Sequence, residues 1–322
     1  MQQDVWAPKK AITIADFFIV GAMKSGTTTL HNMLHAHPDI FMAKDELFYF
    51  DMDDIAQHPD FIFQNKSGLQ TTDVKHDEEG YWHWYQSQFS KAREGQLKGE
   101  DSTTYLCSEL AIARIAKLKP DAKIVVMLRQ PSLRAYSHYW HMVRAGRAGY
   151  SFEDTLRFQP QLLLQRSDYS TQLNMLYRYF PRQQVKVILF EHFIVEPEQI
   201  LTEICQFLDV DEQKLPADSL HIHANKGQTP KFLKLHLLKC RLFRGAVSNM
   251  YNSHFTEAPK NRPLNIFERI YRLCNPMVNT PSKKITQSHK QLLDDYFSKV
   301  MPDINELTGL DAYQIWFGER EK

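Results

Sequence analysis

The stretch DFFIVGAMKSGTTTLHNMLHAHP, residues 16–38, leaves this chain few folds to choose from. Its apolar run from Phe17 to Val20 does not alternate with polar residues, and it ends in Gly21. That is the pattern of a parallel strand buried on both faces. From Thr27 onward Leu30, Met33 and Leu34 recur at helical spacing, and Pro38 stops the helix. A strand buried on both faces needs helices on both sides, and the rest of the chain supplies them. LKGED (97–101), AKIVVMLR (122–129) and VKVILFE (185–191) read as further strands, and IFM as a short one. SELAIARIAKL and EPEQILTEICQFLDV read as helices between and after them. Alternation of this kind builds right-handed βαβ units around a parallel sheet. The fold class expected is three-layer α/β.

Beyond about residue 230 the pattern turns helical, with spans predicted at 231–243, 263–273 and 285–300, while KNRPLN and NTPSKK read as loops. A boundary near 215–230 is compatible with this. The reading favoured is one domain over 1–322 with a helical C-terminal cap. With 43% hydrophobic residues the chain can bury a large core. Its 39 basic and 38 acidic side chains leave a net charge of +1, which points away from bulk nucleic-acid binding or an anionic membrane as partner. Cys107, Cys205, Cys240 and Cys274 are widely separated, with no CxxC pair. No apolar run near the start reaches the roughly 18 residues a spanning helix needs, and a soluble, cytoplasmic protein is expected. Oligomeric state leaves no trace in the sequence.

The loop GAMKSGTT compares with the phosphate-binding pattern GxxxxGK[ST], in which backbone amides and a helix N-terminus hold phosphate, a lysine reaches the terminal phosphate and a hydroxyl binds magnesium. Gly21, Gly26 and Thr28 match, Thr27 replaces the lysine, and Lys24 lies inside the loop instead. An anion-binding turn survives, but the pattern no longer assures magnesium and γ-phosphate chemistry. A plain glycine turn is the bland alternative. AKIVVMLR adds Arg129 at the C-terminal end of a parallel strand, where α/β sheets bind ligands, and its guanidinium fork suits a phosphate dianion. Ser137 comes next, on the helix after that strand.

Taken together, FFIVGAMKSGTTTLHNMLHAHPDI and IVVMLRQPSLRAYSHYWH resemble the two signatures of the sulfotransferases that use 3'-phosphoadenosine 5'-phosphosulfate (PAPS). The resemblance implies that Lys24, Ser25, Gly26, Thr27 and Thr28 hold the 5'-phosphosulfate, and that Arg129 and Ser137 hold the 3'-phosphate. It also implies that Lys226 and Gly227, in HANKGQ, cover the nucleotide, and the closing INELTGLDAYQIW looks like the end of many such enzymes. In AKDELFYFD, Glu46 matches the glutamate base of the heparan-sulfate and bacterial branches, and Asp51 matches an acidic position that would orient the acceptor. Burial against Phe48, Tyr49 and Phe50 would raise the Glu46 pKa toward the working range. The chain departs from some relatives at Phe48 (histidine there) and at Asp101 (lysine there). The second departure, with the small charge excess, argues against a glycosaminoglycan acceptor.

Sulfuryl transfer needs cations near the leaving oxygen and a base near the acceptor, as phosphoryl transfer does. Lys24 and Glu46 are the catalytic candidates. The expected activity is in-line transfer of the sulfuryl group of PAPS to a hydroxyl, with an amine as second choice, on a small-molecule, lipid or carbohydrate acceptor. Adenosine 3',5'-bisphosphate leaves, and no metal takes part. Two rivals stay open. A P-loop kinase would use Glu191 as its metal carboxylate, and a nucleotide-binding scaffold would lack catalysis. His31 with His35, and His221 with His223, have no third ligand at a familiar spacing. The aromatic clusters at 81–89 and 136–141 read mainly as core.

Overall fold

β1 (Phe17–Gly21) is buried along its whole length at the centre of a five-stranded sheet. The computed structural model describes residues 13–56, 63–65, 68–70, 78–216, 227–243, 266–280 and 283–318. β1 is followed by α1 (Thr27–His35) and by β2 (Ile40–Met42). A hairpin of β3 (Phe63–Asn65) and β4 (Gly68–Gln70) and the helix α2 (Glu78–Ser87) lead to β5 (Leu97–Asp101), α3 (Glu109–Leu118), β6 (Lys123–Leu128) and α4 (Pro131–Arg144). Three helices, α5 (Phe152–Phe158), α6 (Gln161–Leu164) and α7 (Tyr169–Leu176), precede β7 (Val185–Leu189), α8 (Phe190–Phe193) and α9 (Pro197–Leu208). The remainder comprises β8 (Thr229–Pro230), α10 (Leu233–Leu242), α11 (Ile266–Cys274), β9 (Met277–Val278), α12 (Gln287–Val300), α13 (Ile304–Thr308) and α14 (Ala312–Phe317).

The main sheet is parallel throughout, in the order β2-β5-β1-β6-β7. The chain leaves β1 toward one edge, returns through β5, and then builds outward on the other side through β6. β1 therefore lies at the switch point, where the loops after neighbouring strands diverge and open a crevice. The continuous apolar run now has its reason. Phe18 and Val20 pack into the core on one face with Ile124, Val126 and Leu128, while Phe17 and Ile19 join Leu30, Met33, Val125 and Met127 on the other. Each such side chain, fully buried, stabilises the fold by about 2 kcal/mol.

The parallel α/β fold expected from the sequence is the fold observed. The C-terminal helices do more than sit on top of it. Leu293, Phe297, Met301, Ile304 and Trp316 are buried in the same core as Phe18 and Val20. The aromatic stretch 81–89 also packs inward: Trp82, Tyr85 and Phe89 surround Tyr49 and Phe50. Among the described residues no helix is long and apolar enough to cross a membrane.

Candidate active site

Every strand of the main sheet ends on the same side, and five candidate segments meet there: the loop after β1, the stretch after β2, Thr103 after β5, Arg129 after β6 and Glu191 after β7. In the first loop, Gly26 has φ +95°, and a Cβ there would lie 2.8 Å from the Phe190 ring. Only glycine fits that turn. Gly26 opens α1 with no side-chain cap. The Gly26 carbonyl accepts from Thr29 and Leu30 (3.0 and 3.3 Å), whereas the amides of Gly26, Thr27 and Thr28 find no acceptor among the described residues. Unsatisfied amides at a helix N-terminus favour an anion.

Lys24 lies in the left-handed region at φ +72°, a conformation costing a non-glycine residue about 1–2 kcal/mol. Its ammonium is largely withdrawn from water. Burial lowers its pKa, the Arg144 guanidinium lowers it further, Glu46 acts in the opposite sense and Arg129 adds a smaller lowering. Lys24, Arg129, Arg144 and Glu46 thus share one electrostatic environment. Arg129 donates from Nη1 to the Lys24 carbonyl (3.2 Å), and its guanidinium lies over the Phe190 ring, 4.8 Å from the centroid. The Tyr169 hydroxyl donates to the Arg129 carbonyl (2.8 Å), with the buried Ser25 close to the same phenol. Thr27 is buried, Thr28 is exposed and Ser137 is half-buried on α4.

Glu46 is half-buried, and Oε1 accepts from both the hydroxyl (2.5 Å) and the amide (3.2 Å) of Thr103. The backbone just beyond Glu46 is fastened from beneath. The Ser102 hydroxyl accepts from the amides of Leu47 and Phe48 (3.1 and 3.0 Å), and the Tyr105 hydroxyl accepts from the amide of Phe50 (3.1 Å). Both hydroxyls donate to Glu100 Oε1 (2.9 and 2.6 Å), and Tyr85 donates to Oε2 (2.7 Å). Glu100 is fully buried, and burial pushes its pKa up to about 7 against the pull of those three donors. Asp101, also buried, is raised by burial and then by the nearby Glu46 and Glu100. Its Oδ2 lies 3.7 Å from His31, whose pKa falls to about 4 through burial and the adjacent His35. Near neutral pH the imidazole of this contact is uncharged.

The structure brings Lys24, Glu46 and Arg129 together, and it puts Asp51 elsewhere. Asp51 has no exposed surface and lies in the interior near Glu100 and Tyr105, beneath the stretch that carries Glu46. Lys226 falls outside the described residues, as do His221 and His223. Gly227 stands beside α4, where a Cβ would lie 3.8 Å from Arg144 Nη1. Glu191, the carboxylate a kinase would need, is held at both oxygens. Oε1 accepts from the Gln130 amide (2.9 Å) and Oε2 from the Trp316 indole (3.1 Å). His31 and His35 stack at 6.4 Å, and no cluster of three metal-ligating side chains occurs among the described residues.

Sequence reasoning missed Arg144 and Thr103. Arg144 carried a usable signal, since it lies two helical turns beyond Ser137 on α4. Burial lowers its pKa. His141, on the same helix, drops to about 4 through burial and then through Lys24, Arg147, Arg144 and Arg166. His138, likewise held low, adds no charge there at neutral pH.

Free amides at a helix N-terminus, a half-buried lysine, two arginines and a carboxylate at a sheet's switch point define a class: α/β proteins built to bind a phosphate-like anion. The comparisons name the family. Residues 16–214 match the model of the sulfotransferase family, and the chain belongs to that family. Heparan sulfate glucosamine 3-O-sulfotransferase 5 of Homo sapiens is 25% identical over 221 residues, covering 65% of this chain and 57% of that protein. Bifunctional heparan sulfate N-deacetylase/N-sulfotransferase 2 of Mus musculus is 29% identical over 242 residues, covering 70% of this chain and 25% of that protein. The chain therefore matches only part of the length of these relatives. A sulfotransferase from Alicyclobacillus acidocaldarius has the same fold, with a TM-score of 0.61 at 24% identity over 94% of this chain and 100% of that one.

Proposed function

We propose that the chain is a PAPS-dependent sulfotransferase acting on a hydroxyl acceptor, with Glu46 as general base and Lys24 beside the leaving oxygen. The observation that carries this reading is the placing of Lys24 within electrostatic reach of Arg129, Arg144 and Glu46, with Arg129 bonded to its carbonyl. PAPS would supply an activated sulfuryl group joined to phosphate through a bridging oxygen. The amides of residues 26–28 fit the 5'-phosphosulfate, and Lys24 neutralises charge at the bridge. Arg129, with Ser137 on the helix after it, fits the 3'-phosphate, and Arg144 beside Gly227 adds a second guanidinium to the Lys24 side of the cleft.

Glu46 takes the proton of the acceptor hydroxyl as its oxygen bonds to sulfur, and the bond from sulfur to the bridging oxygen breaks in line. The Thr103 hydroxyl and amide both hold Oε1, so the carboxylate is oriented before any acceptor arrives. Oriented groups of this kind act without reorganisation during the reaction. The engagement of both Glu191 oxygens removes the support for a magnesium-dependent kinase. The relatives act on heparan sulfate by name, yet here the acceptor side presents the buried Asp101 rather than a cation, and the reading stops at the hydroxyl class.

Isothermal titration tests it, with adenosine 3',5'-bisphosphate against ATP and magnesium, on the wild type and on Arg129→Ala. Metal-independent binding of the bisphosphate is expected. Loss of a charge-assisted contact should weaken it about 10- to 100-fold in the variant. Preference for magnesium ATP, or equal affinity in the variant, would sink the assignment.

A further inference from the structure

We propose that α10 and α11 together form a docking surface for an anionic lipid bilayer. The two helices are joined through polar contacts, and although Leu237 and Cys240 of α10 are buried, most of the pair's large apolar side chains face outward, the reverse of an ordinary surface helix pair. Inside, His236 bonds the Tyr271 hydroxyl (2.7 Å) and the Val143 carbonyl (2.8 Å). Asn275 holds both the amide and the carbonyl of Phe232 (2.7 and 3.1 Å). Lys239 pairs with Glu268 at 2.8 Å and lies over the Tyr271 ring. Outside, Ile266, Phe267, Ile270 and Leu273 are 69, 78, 54 and 83% exposed, and they share one side of α11 by their spacing. Leu235, Leu238 and Leu242 form an exposed stripe on α10.

The charge of this region says what covers it. Across the described residues of this unit, 231–243 and 266–280, Lys231, Lys234, Lys239, Arg241, Arg269 and Arg272 stand against one carboxylate, Glu268. Glu268 is already taken by Lys239 and Arg272. A chain with a net charge of +1 has therefore gathered a strong local excess of positive charge beside an exposed apolar helix face. Amphipathic helices of this composition lie in the membrane interface, apolar side in the acyl boundary and cations among the headgroups. A second copy on the same face would set like charges against each other. A glycan offers nothing to four large aliphatic and aromatic side chains.

Co-sedimentation with vesicles tests the proposal without reference to catalysis. The whole protein is expected to pellet with phosphatidylcholine vesicles containing phosphatidylglycerol, far less with phosphatidylcholine alone, and less again as salt rises. Phe267→Ser with Leu273→Ser should remove most of the binding, and Arg241→Gln with Arg269→Gln should weaken it about 30-fold. All four side chains are exposed, so unchanged melting curves are expected, and the salt dependence of the wild type is a readout that needs no variant. Failure to pellet with the anionic vesicles, or binding indifferent to Phe267 and Leu273, would overturn it. So would a dimer in sedimentation analysis that the same serines dissociate, which would assign the face to a second copy.

Discussion

Glu100 makes the fold's stability depend on pH in a way that can be calculated in advance. Its carboxyl titrates at about 7 in the folded protein, against an ordinary value of 4.5. Below pH 4.5 it is protonated in both folded and unfolded chains. Between those values only the folded state keeps the proton, so stability falls as pH rises and the loss is complete above about pH 7. The gap corresponds to about 3 kcal/mol at roughly 1.36 kcal/mol per pH unit. Other carboxylates titrate over part of this range, and the comparison with Glu100→Gln isolates the one contribution. Glutamine keeps the shape of the protonated acid and cannot ionise. Urea unfolding at a series of pH values from about 4.5 to 8 should show the wild type losing stability relative to the variant by about 3 kcal/mol. Parallel curves would refute the reasoning, since they would mean that Glu100 keeps the same proton affinity when buried beneath the Glu46 stretch.

Two further substitutions probe the site itself. Gly26→Ala places a methyl 2.8 Å from the Phe190 ring at φ +95°; melting should show a loss of about 1–3 kcal/mol, and titration should show weakened bisphosphate binding because Phe190 also supports Arg129. Thr103→Val keeps the shape and removes the hydroxyl from Glu46, so turnover should drop about 10- to 100-fold while the bisphosphate dissociation constant stays where it was.

The first loop was legible because its chemistry is local: two glycines, a strand before them and a helix after them lie within one short stretch. Arg129 was legible for the same reason, as the last word of an apolar strand. What was hidden depends on pairings across long separations. Thr103 meets Glu46 over 57 residues, and no periodicity announces such a partner. Glu191 looked like a metal carboxylate because its two donors come from elsewhere, one of them 125 residues away. The burial of Asp51 was hidden because sequence position cannot say whether a carboxylate after an aromatic run faces the cleft or the core. The near-zero net charge concealed the basic α10–α11 region, since a sum discards where charges sit.

The bonds from Trp316 to Glu191 and from Gln130 to the Trp316 carbonyl tie the turn after β6 to a residue 186 positions later. At a translation rate of about 5–20 residues per second, roughly ten to forty seconds separate the synthesis of Gln130 from that of its partner. A nascent chain therefore has its glycine loop early and the indole that holds Glu191 late. A polypeptide truncated before α14 would emerge without the indole donor to Glu191 and without the carbonyl that accepts from Gln130, while Tyr169 would still hold the Arg129 carbonyl.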